Sequence, residues 1–209
     1  MTAAVRSFGV LISGRGSNMI SLIEAARDGT IPARAAIVVS NVAGAPGLAR
    51  AAALGVETVC IPHQDSPSRR EHDLKVVEAL SAHGVDLVCL AGYMRLLTPA
   101  FIEAFPRRIL NIHPSLLPAF PGLHAQRQAL EHGVKQSGCT VHLVDRELDH
   151  GPILCQAAVA VRDDDDEESL AGRILEVEHR LYPEAVRLFL TRALTIDGRR
   201  VRLDRARDM

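Results

Sequence analysis

The chain has no excess of charge of either sign, no apolar run of membrane-spanning length and no closely spaced pair of cysteines. Over 209 residues, Lys plus Arg number 24 and Asp plus Glu 25, so no global charge argues for nucleic acid. The opening stretch Met1–Ser7 lacks the long apolar core of a secretory signal, and no later run is long enough to cross a bilayer. Cys60, Cys89, Cys139 and Cys155 lie far apart without a Cys-x-x-Cys pair. They are expected to be free, structural thiols in a reducing cytoplasm. Nine histidines form no His-Glu-x-x-His or comparable metal spacing. No internal repeat and no linker interrupts the chain.

A hydrophobic fraction of 47% places the sequence among globular proteins, and its length suits one α/β domain over residues 1–209. Phe8–Ile12, Ala35–Val39, Thr58–Ile61 and Leu87–Ala91 are short apolar runs that suit buried parallel strands. Helical patterns lie between them. Asn18–Arg27 stops at Gly29, Leu48–Leu54 stops at Gly55, and Ser68–Glu71 fits a capping box for a helix ending near Gly84. This order predicts a mostly parallel sheet flanked by helices, with right-handed crossovers. The second half changes character. Gly138–Val144 and Ile153–Val161 predict an antiparallel pair joined by the Asp145–Pro152 loop. The acidic run Asp163–Glu168 reads as a solvated stretch favouring the start of a helix over Leu170–Leu190. Ala193–Ile196 and Val201–Leu203 predict a small hairpin around Asp197-Gly198.

Ser13-Gly14-Arg15-Gly16-Ser17-Asn18 follows the first strand and opens the first helix, a junction that suits an anion. Met19 stands where a dinucleotide fingerprint needs its third glycine, and no Gly-Lys-Ser/Thr follows, so a single phosphate is the better ligand. Ala91-Gly92-Tyr93-Met94-Arg95-Leu96-Leu97 leaves a strand at its C-terminal end, where open parallel sheets bind ligands. On the residues alone, Met94, Leu96 and Leu97 read as core.

Asn111 and His113 are two apart at the end of an apolar run, so on a strand their side chains share one face. Pro114 and Pro118 then end regular structure. Asp145-Arg146-Glu147-Leu148-Asp149-His150-Gly151-Pro152 adds carboxylates on a turn-like loop. A donor, an acid/base and an orienting carboxylate suit acyl transfer. A His113–Asp149 metal pair would need a third ligand, His142 or His150. Ser115 lies in no Gly-x-Ser-x-Gly elbow.

These residues resemble the phosphoribosylglycinamide formyltransferases, the folate-dependent transformylases of purine synthesis. Leu11–Asn18, Leu90–Leu97, Leu110–Leu123, Glu147–Gln156 and Glu178–Pro183 carry the likeness in family order. The block Asn-x-His-Pro-Ser-Leu-Leu-Pro marks folate formyltransferases generally, and its continuation over Ala119–Ala125 narrows it to the glycinamide branch. The resemblance implies a Rossmann-like formyltransferase fold with an antiparallel C-terminal part, and Asn111, His113 and Asp149 as catalytic residues. It assigns Gly16, Ser17, Asn18 and Glu178 to phosphoribosylglycinamide. Arg69, Met94, Arg95, Leu96, Leu97, Asn111, Asp145, Arg146, Glu147, Leu148 and Asp149 fall to the folate, which turns Met94, Leu96 and Leu97 from core into pocket.

The co-substrate so implied is 10-formyltetrahydrofolate, with no metal. The expected partners are small molecules, with no nucleic acid and no membrane, and the enzyme is expected to be a monomer or homodimer. Asn111 and a protonated His113 would hold an oxyanion, with Asp149 keeping the imidazole charged. Two residues depart from the pattern. Arg15 stands where a small or amide residue is common, and His150 stands between Asp149 and Gly151. A 10-formyltetrahydrofolate hydrolase would be expected to carry an extra N-terminal domain. A methionyl-tRNA formyltransferase would be expected to carry a C-terminal one. A folate- or phosphate-binding sensor without catalysis is the reading from another class.

Overall fold

Strand and helix alternate along the first half as the apolar runs require. The computed structural model describes residues 6–204, so most of the opening stretch Met1–Ser7 read for a secretory signal lies outside the described residues. The chain divides into two compact units, Met1–Leu110 and Asn111–Met209.

In the first unit, β1 (Ser7–Ile12), β2 (Arg34–Ser40), β3 (Glu57–Cys60) and β4 (Leu87–Leu90) form a parallel array in the order β3-β2-β1-β4. β1 and β4 are buried at every position, which is why their sequences run apolar without alternation. Half-exposed β3 lies at the array's edge and ends on exposed Cys60. The crossovers are α1 (Ser17–Arg27), α2 (Pro46–Ala53) and α3 (Arg69–Ala82), followed by α4 (Pro99–Ala104). Ser68 caps α3 as expected, its hydroxyl accepting the Glu71 N–H at 3.2 Å. The Glu71 carboxylate meets that same hydroxyl at 3.3 Å, so the reciprocal half of the box is side chain to side chain. β5 (Ile109–His113) then leads into the second unit.

There, α5 (Ala125–Glu131) precedes β6 (Gln136–Leu143) and β7 (Ile153–Ala160), an antiparallel pair with a register shift between Val141 and His142. α6 (Glu167–Thr191) packs Leu170 and Ile174 onto Ala129, Cys139 and Val159. Each such Leu or Ile withdrawn from water stabilises the fold by about 1.5–3 kcal/mol. The acidic run starts α6 three residues earlier than its apolar pattern does. Asp166 accepts the Ser169 N–H at 2.8 Å while the Ser169 hydroxyl accepts the Asp166 N–H at 3.0 Å, a complete capping box. Asp165 beside it pairs with the Arg173 guanidinium. β8 (Leu194–Asp197) and β9 (Arg200–Leu203) form the expected hairpin, with Gly198 in the left-handed region of its turn. The sheet is mostly parallel with flanking helices and an antiparallel C-terminal part.

All four cysteines are free: Cys89 and Cys139 are buried in β4 and β6, Cys155 is partly buried in β7, and Cys60 is exposed. Among the described residues, no helix is long and apolar enough to cross a membrane.

Candidate active site

The glycine loop of the first unit begins where β1 ends. Gly16 takes φ 70° and caps α1, accepting the Ile20 N–H at 3.0 Å. A Cβ there would stand 2.9 Å from Met19 Cε in a backbone conformation that side chains rarely adopt, so the turn requires glycine. The first amides of α1 have no partner within their own helix, and the dipole adds partial positive charge at the same end. A cavity of about 300 Å³ opens over this end, lined by Ser13 to Asn18 together with Ala91, Gly92 and Met94. The cavity thus gathers Gly16, Ser17 and Asn18, and the unusual Arg15 lines it too.

Arg69, Arg95, Leu96 and Leu97 are not part of that lining. Arg69 is the exposed first residue of α3. Met94 and Leu96 are 64% and 53% exposed, which overturns their reading as core and leaves apolar side chains facing outward.

In the second unit, β5 brings Asn111 and His113 to its C-terminal end. Buried His113 is held at both nitrogens. Nε2 donates to the Phe120 carbonyl at 2.9 Å, and Nδ1 lies 3.4 Å from Asp149 Oδ2. Both partners are acceptors. Asp149 sits at φ 49° and its Oδ2 also accepts the Gly122 N–H at 2.8 Å, so one carboxylate faces the histidine and ties the Pro121–Leu123 turn. At Gly151 a Cβ would collide with the Leu143 carbonyl, so the returning strand passes close only because that residue is glycine.

Asn111 has a partner that the sequence reading considered only as a metal ligand. His142 Nδ1 faces the Leu143 carbonyl at 2.9 Å and therefore carries the proton. Its Nε2 lone pair receives the Asn111 Nδ2–H at 3.2 Å. Burial pushes the His142 pKa down, which favours the neutral ring this geometry needs. Asp149 Oδ1 is 3.8 Å from the same Nε2, too far for a hydrogen bond. The signal available in the sequence was Thr140 and His142 alternating with apolar neighbours in a strand, which places both on one face.

Thr140 explains how the proline loop is held. Its hydroxyl donates to the Ser115 carbonyl at 2.7 Å and accepts the Leu117 N–H and the Gln156 amide, each at 3.0 Å. Ser115 is fully buried and gives its hydroxyl proton to the Ala119 carbonyl at 2.5 Å, a structural use rather than a nucleophilic one. His150, the departure between Asp149 and Gly151, bonds back to its own loop. Its Nδ1 meets Asp145 Oδ2 at 2.9 Å, while Asp145 Oδ1 accepts the Glu147 N–H at 2.9 Å, so the loop is stapled from within. Arg146, Glu147 and Leu148 on that loop are exposed. Glu178 is buried on α6, and its charge adds to the burial that raises the Cys139 thiol to about 12. Among the described residues, no group of three or more His, Cys, Asp or Glu side chains is placed to hold a metal ion.

Known proteins share this architecture. A structure of glycinamide ribonucleotide transformylase 1 from Symbiobacterium toebii superposes with a TM-score of 0.94 at 56% identity, covering 95% of this chain and 94% of that one. Phosphoribosylglycinamide formyltransferase of Escherichia coli strain K12 is 43% identical over 180 residues, which are 86% of this chain and 85% of its own length. The trifunctional purine biosynthetic protein adenosine-3 of Drosophila pseudoobscura pseudoobscura is 49% identical over 187 residues. The chain spans only 14% of that much longer relative. The model of the formyl transferase family matches residues 6–186. With that match and these identities, the chain belongs to the formyl transferase family.

Proposed function

We propose that the chain moves the formyl group of 10-formyltetrahydrofolate to the amine of 5-phosphoribosylglycinamide, a step of purine (IMP) biosynthesis. The observation that carries the reading is Asn111 and His113 side by side on β5, with the Asp149 carboxylate 3.4 Å from His113 Nδ1. The names of the similar proteins support the choice of substrates.

The neutral amine attacks the formyl carbon, forming a C–N bond and a tetrahedral intermediate with negative oxygen. Asn111 keeps one amide N–H on His142 and has a second for that oxyanion. His113 commits Nε2–H to Phe120, so Nδ1–H, in the looser contact with Asp149, is its donor to the oxyanion. Asp149 then accepts the proton shed by the amine, through water, and passes it towards N10 as the C–N10 bond breaks. Tetrahydrofolate and the formylated amide leave.

Gly16, Ser17 and Asn18 are assigned to the phosphate and ribose, with Glu178 for the amine end of the same substrate. Arg69 and Met94–Leu97 in the first unit, and Asn111 and Asp145–Asp149 in the second, are assigned to the folate. One family model running from residue 6 to residue 186 supports reading residues 1–209 as a single formyltransferase domain. Small molecules as partners, a monomer or homodimer, and the cytoplasm complete the proposal.

The test mixes purified protein with 10-formyltetrahydrofolate and follows tetrahydrofolate release with and without phosphoribosylglycinamide. Release only with the amine is expected. Release without it would make the protein a hydrolase, and tight folate binding without release would make it a sensor.

A further inference from the structure

Ser13 has a role that the chemistry above does not use. It directly follows β1, and its hydroxyl makes two hydrogen bonds to distant parts of the first unit. It accepts the Met94 N–H at 2.8 Å and donates to Asn41 Oδ1 at 2.6 Å. Its own N–H reaches the Gly92 carbonyl at 3.0 Å. Asn41, buried just past β2, accepts the His63 N–H on its carbonyl at 3.2 Å. One network therefore laces the C-terminal ends of β1, β2 and β4 to the segment after β3. In it, Ser13 bonds directly both to the Met94 stretch and, through the chain, to Gly14 of the glycine loop.

The far end of the Met94 stretch is tied differently. Thr98 N–H goes to Asp73 Oδ2 at 2.7 Å, and Asp73 is 1% exposed within α3. Thr98 is thus fixed to a buried carboxylate of α3, whereas Met94 is fixed to the residue that opens the glycine loop. Ser13 begins one wall of the cavity and Met94 closes another, so the Ser13 hydroxyl is placed where it could carry a shift of the glycine loop to Met94.

We propose that Ser13 is a positioning residue that couples occupancy of the Gly14–Asn18 loop to the geometry of the Met94–Leu97 stretch, so that each substrate tightens the other. This rests on the assignment of those segments to phosphoribosylglycinamide and folate given above. Such coupling is reciprocal, since each ligand changes the other's affinity by the same factor.

Calorimetric titration of phosphoribosylglycinamide with and without saturating tetrahydrofolate tests it. In the wild type, tetrahydrofolate is expected to tighten binding about two- to twelvefold, the range that one net neutral hydrogen bond covers. In Ser13→Ala the factor falls towards one, while Ser13→Thr, which keeps the hydroxyl, retains it. An unchanged factor in Ser13→Ala, or no tightening in a wild type that binds both ligands, overturns the coupling. A wild type that binds neither ligand overturns the substrate assignment instead, and the coupling with it. Should Ser13→Ala fail to fold, amide exchange at Met94 in the wild type decides. Phosphoribosylglycinamide alone is expected to slow that exchange, and bound ligand with unchanged exchange overturns the proposal.

Discussion

Asn111 turns its carboxamide nitrogen to His142 Nε2 at 3.2 Å, and the pair fix each other: the histidine's tautomer decides which end of the amide is nitrogen. A side chain on β5 is thereby aimed by a neutral imidazole on β6. An Asn rotated the other way would present an oxygen, which repels an oxyanion instead of stabilising it.

Removing the donor itself should therefore be costly for rate and mild for binding. Asn111→Ala is expected to lower kcat by about 100- to 1000-fold, the usual loss for one oxyanion donor. Asp149→Asn should also lower kcat, by removing the carboxylate that faces His113 and that, in the proposed mechanism, accepts the amine's proton. Steady-state kinetics with calorimetric binding of phosphoribosylglycinamide checks both, and near wild-type turnover in the two variants would refute the assignment.

His142 should leave a signature in acid. Burial lowers its pKa and His113 adds to that, while the Leu143 carbonyl and the Asp149 and Asp145 carboxylates oppose it. The unfolded chain therefore takes up a proton at this residue more readily than the native protein. The stability this represents is intact above the ordinary imidazole value of about 6.5 and is lost as pH falls through the lowered native value. His142→Gln offers an acceptor oxygen without titrating. Urea unfolding of both proteins across this range should show the wild type's advantage shrinking as pH falls, and a pH-independent difference would exclude the effect.

Gly16→Ala tests the glycine loop. The left-handed backbone alone costs a non-glycine residue about 1–2 kcal/mol, and the new methyl would press on Met19 Cε at 2.9 Å. Urea denaturation should register at least that loss, together with weaker phosphoribosylglycinamide binding. Full stability and affinity in this variant would mean that the loop rearranges freely.

The His150 staple should matter modestly. Its ring and Asp145 are each 37% exposed, so solvent screens their pairing. Losing it is worth no more than about 1 kcal/mol, or roughly fivefold in affinity. His150→Ala is expected to raise the KM for 10-formyltetrahydrofolate within that range and to leave kcat near wild type. A large fall in kcat would instead place His150 in the chemistry.

Much of this molecule was legible in the sequence because the relevant signals are local. Continuous apolar runs marked β1 and β4, and alternation of strand and helix patterns implied the parallel order. Pro114 ended β5 directly after His113, and the spacing of two put Asn111 and His113 on one face. Short elements such as α4 and α5 went unread, since six or seven residues carry too little periodicity. The capping role of Asp166 was hidden inside a run whose composition reads as solvated charge.

What the sequence by itself determined was the order of the strands and of the longer helices, the glycine turn before α1 and the residue types at the end of β5. Tertiary structure alone decided which distant side chains meet. His142 lies 31 positions from the amide it orients, and Ser13 lies 81 from the backbone it holds. The physical reason is that backbone geometry repeats over a few residues and leaves a periodic trace in the sequence. A hydrogen bond between strands depends on register and on a bulge such as that at Val141 and His142, and neither leaves such a trace.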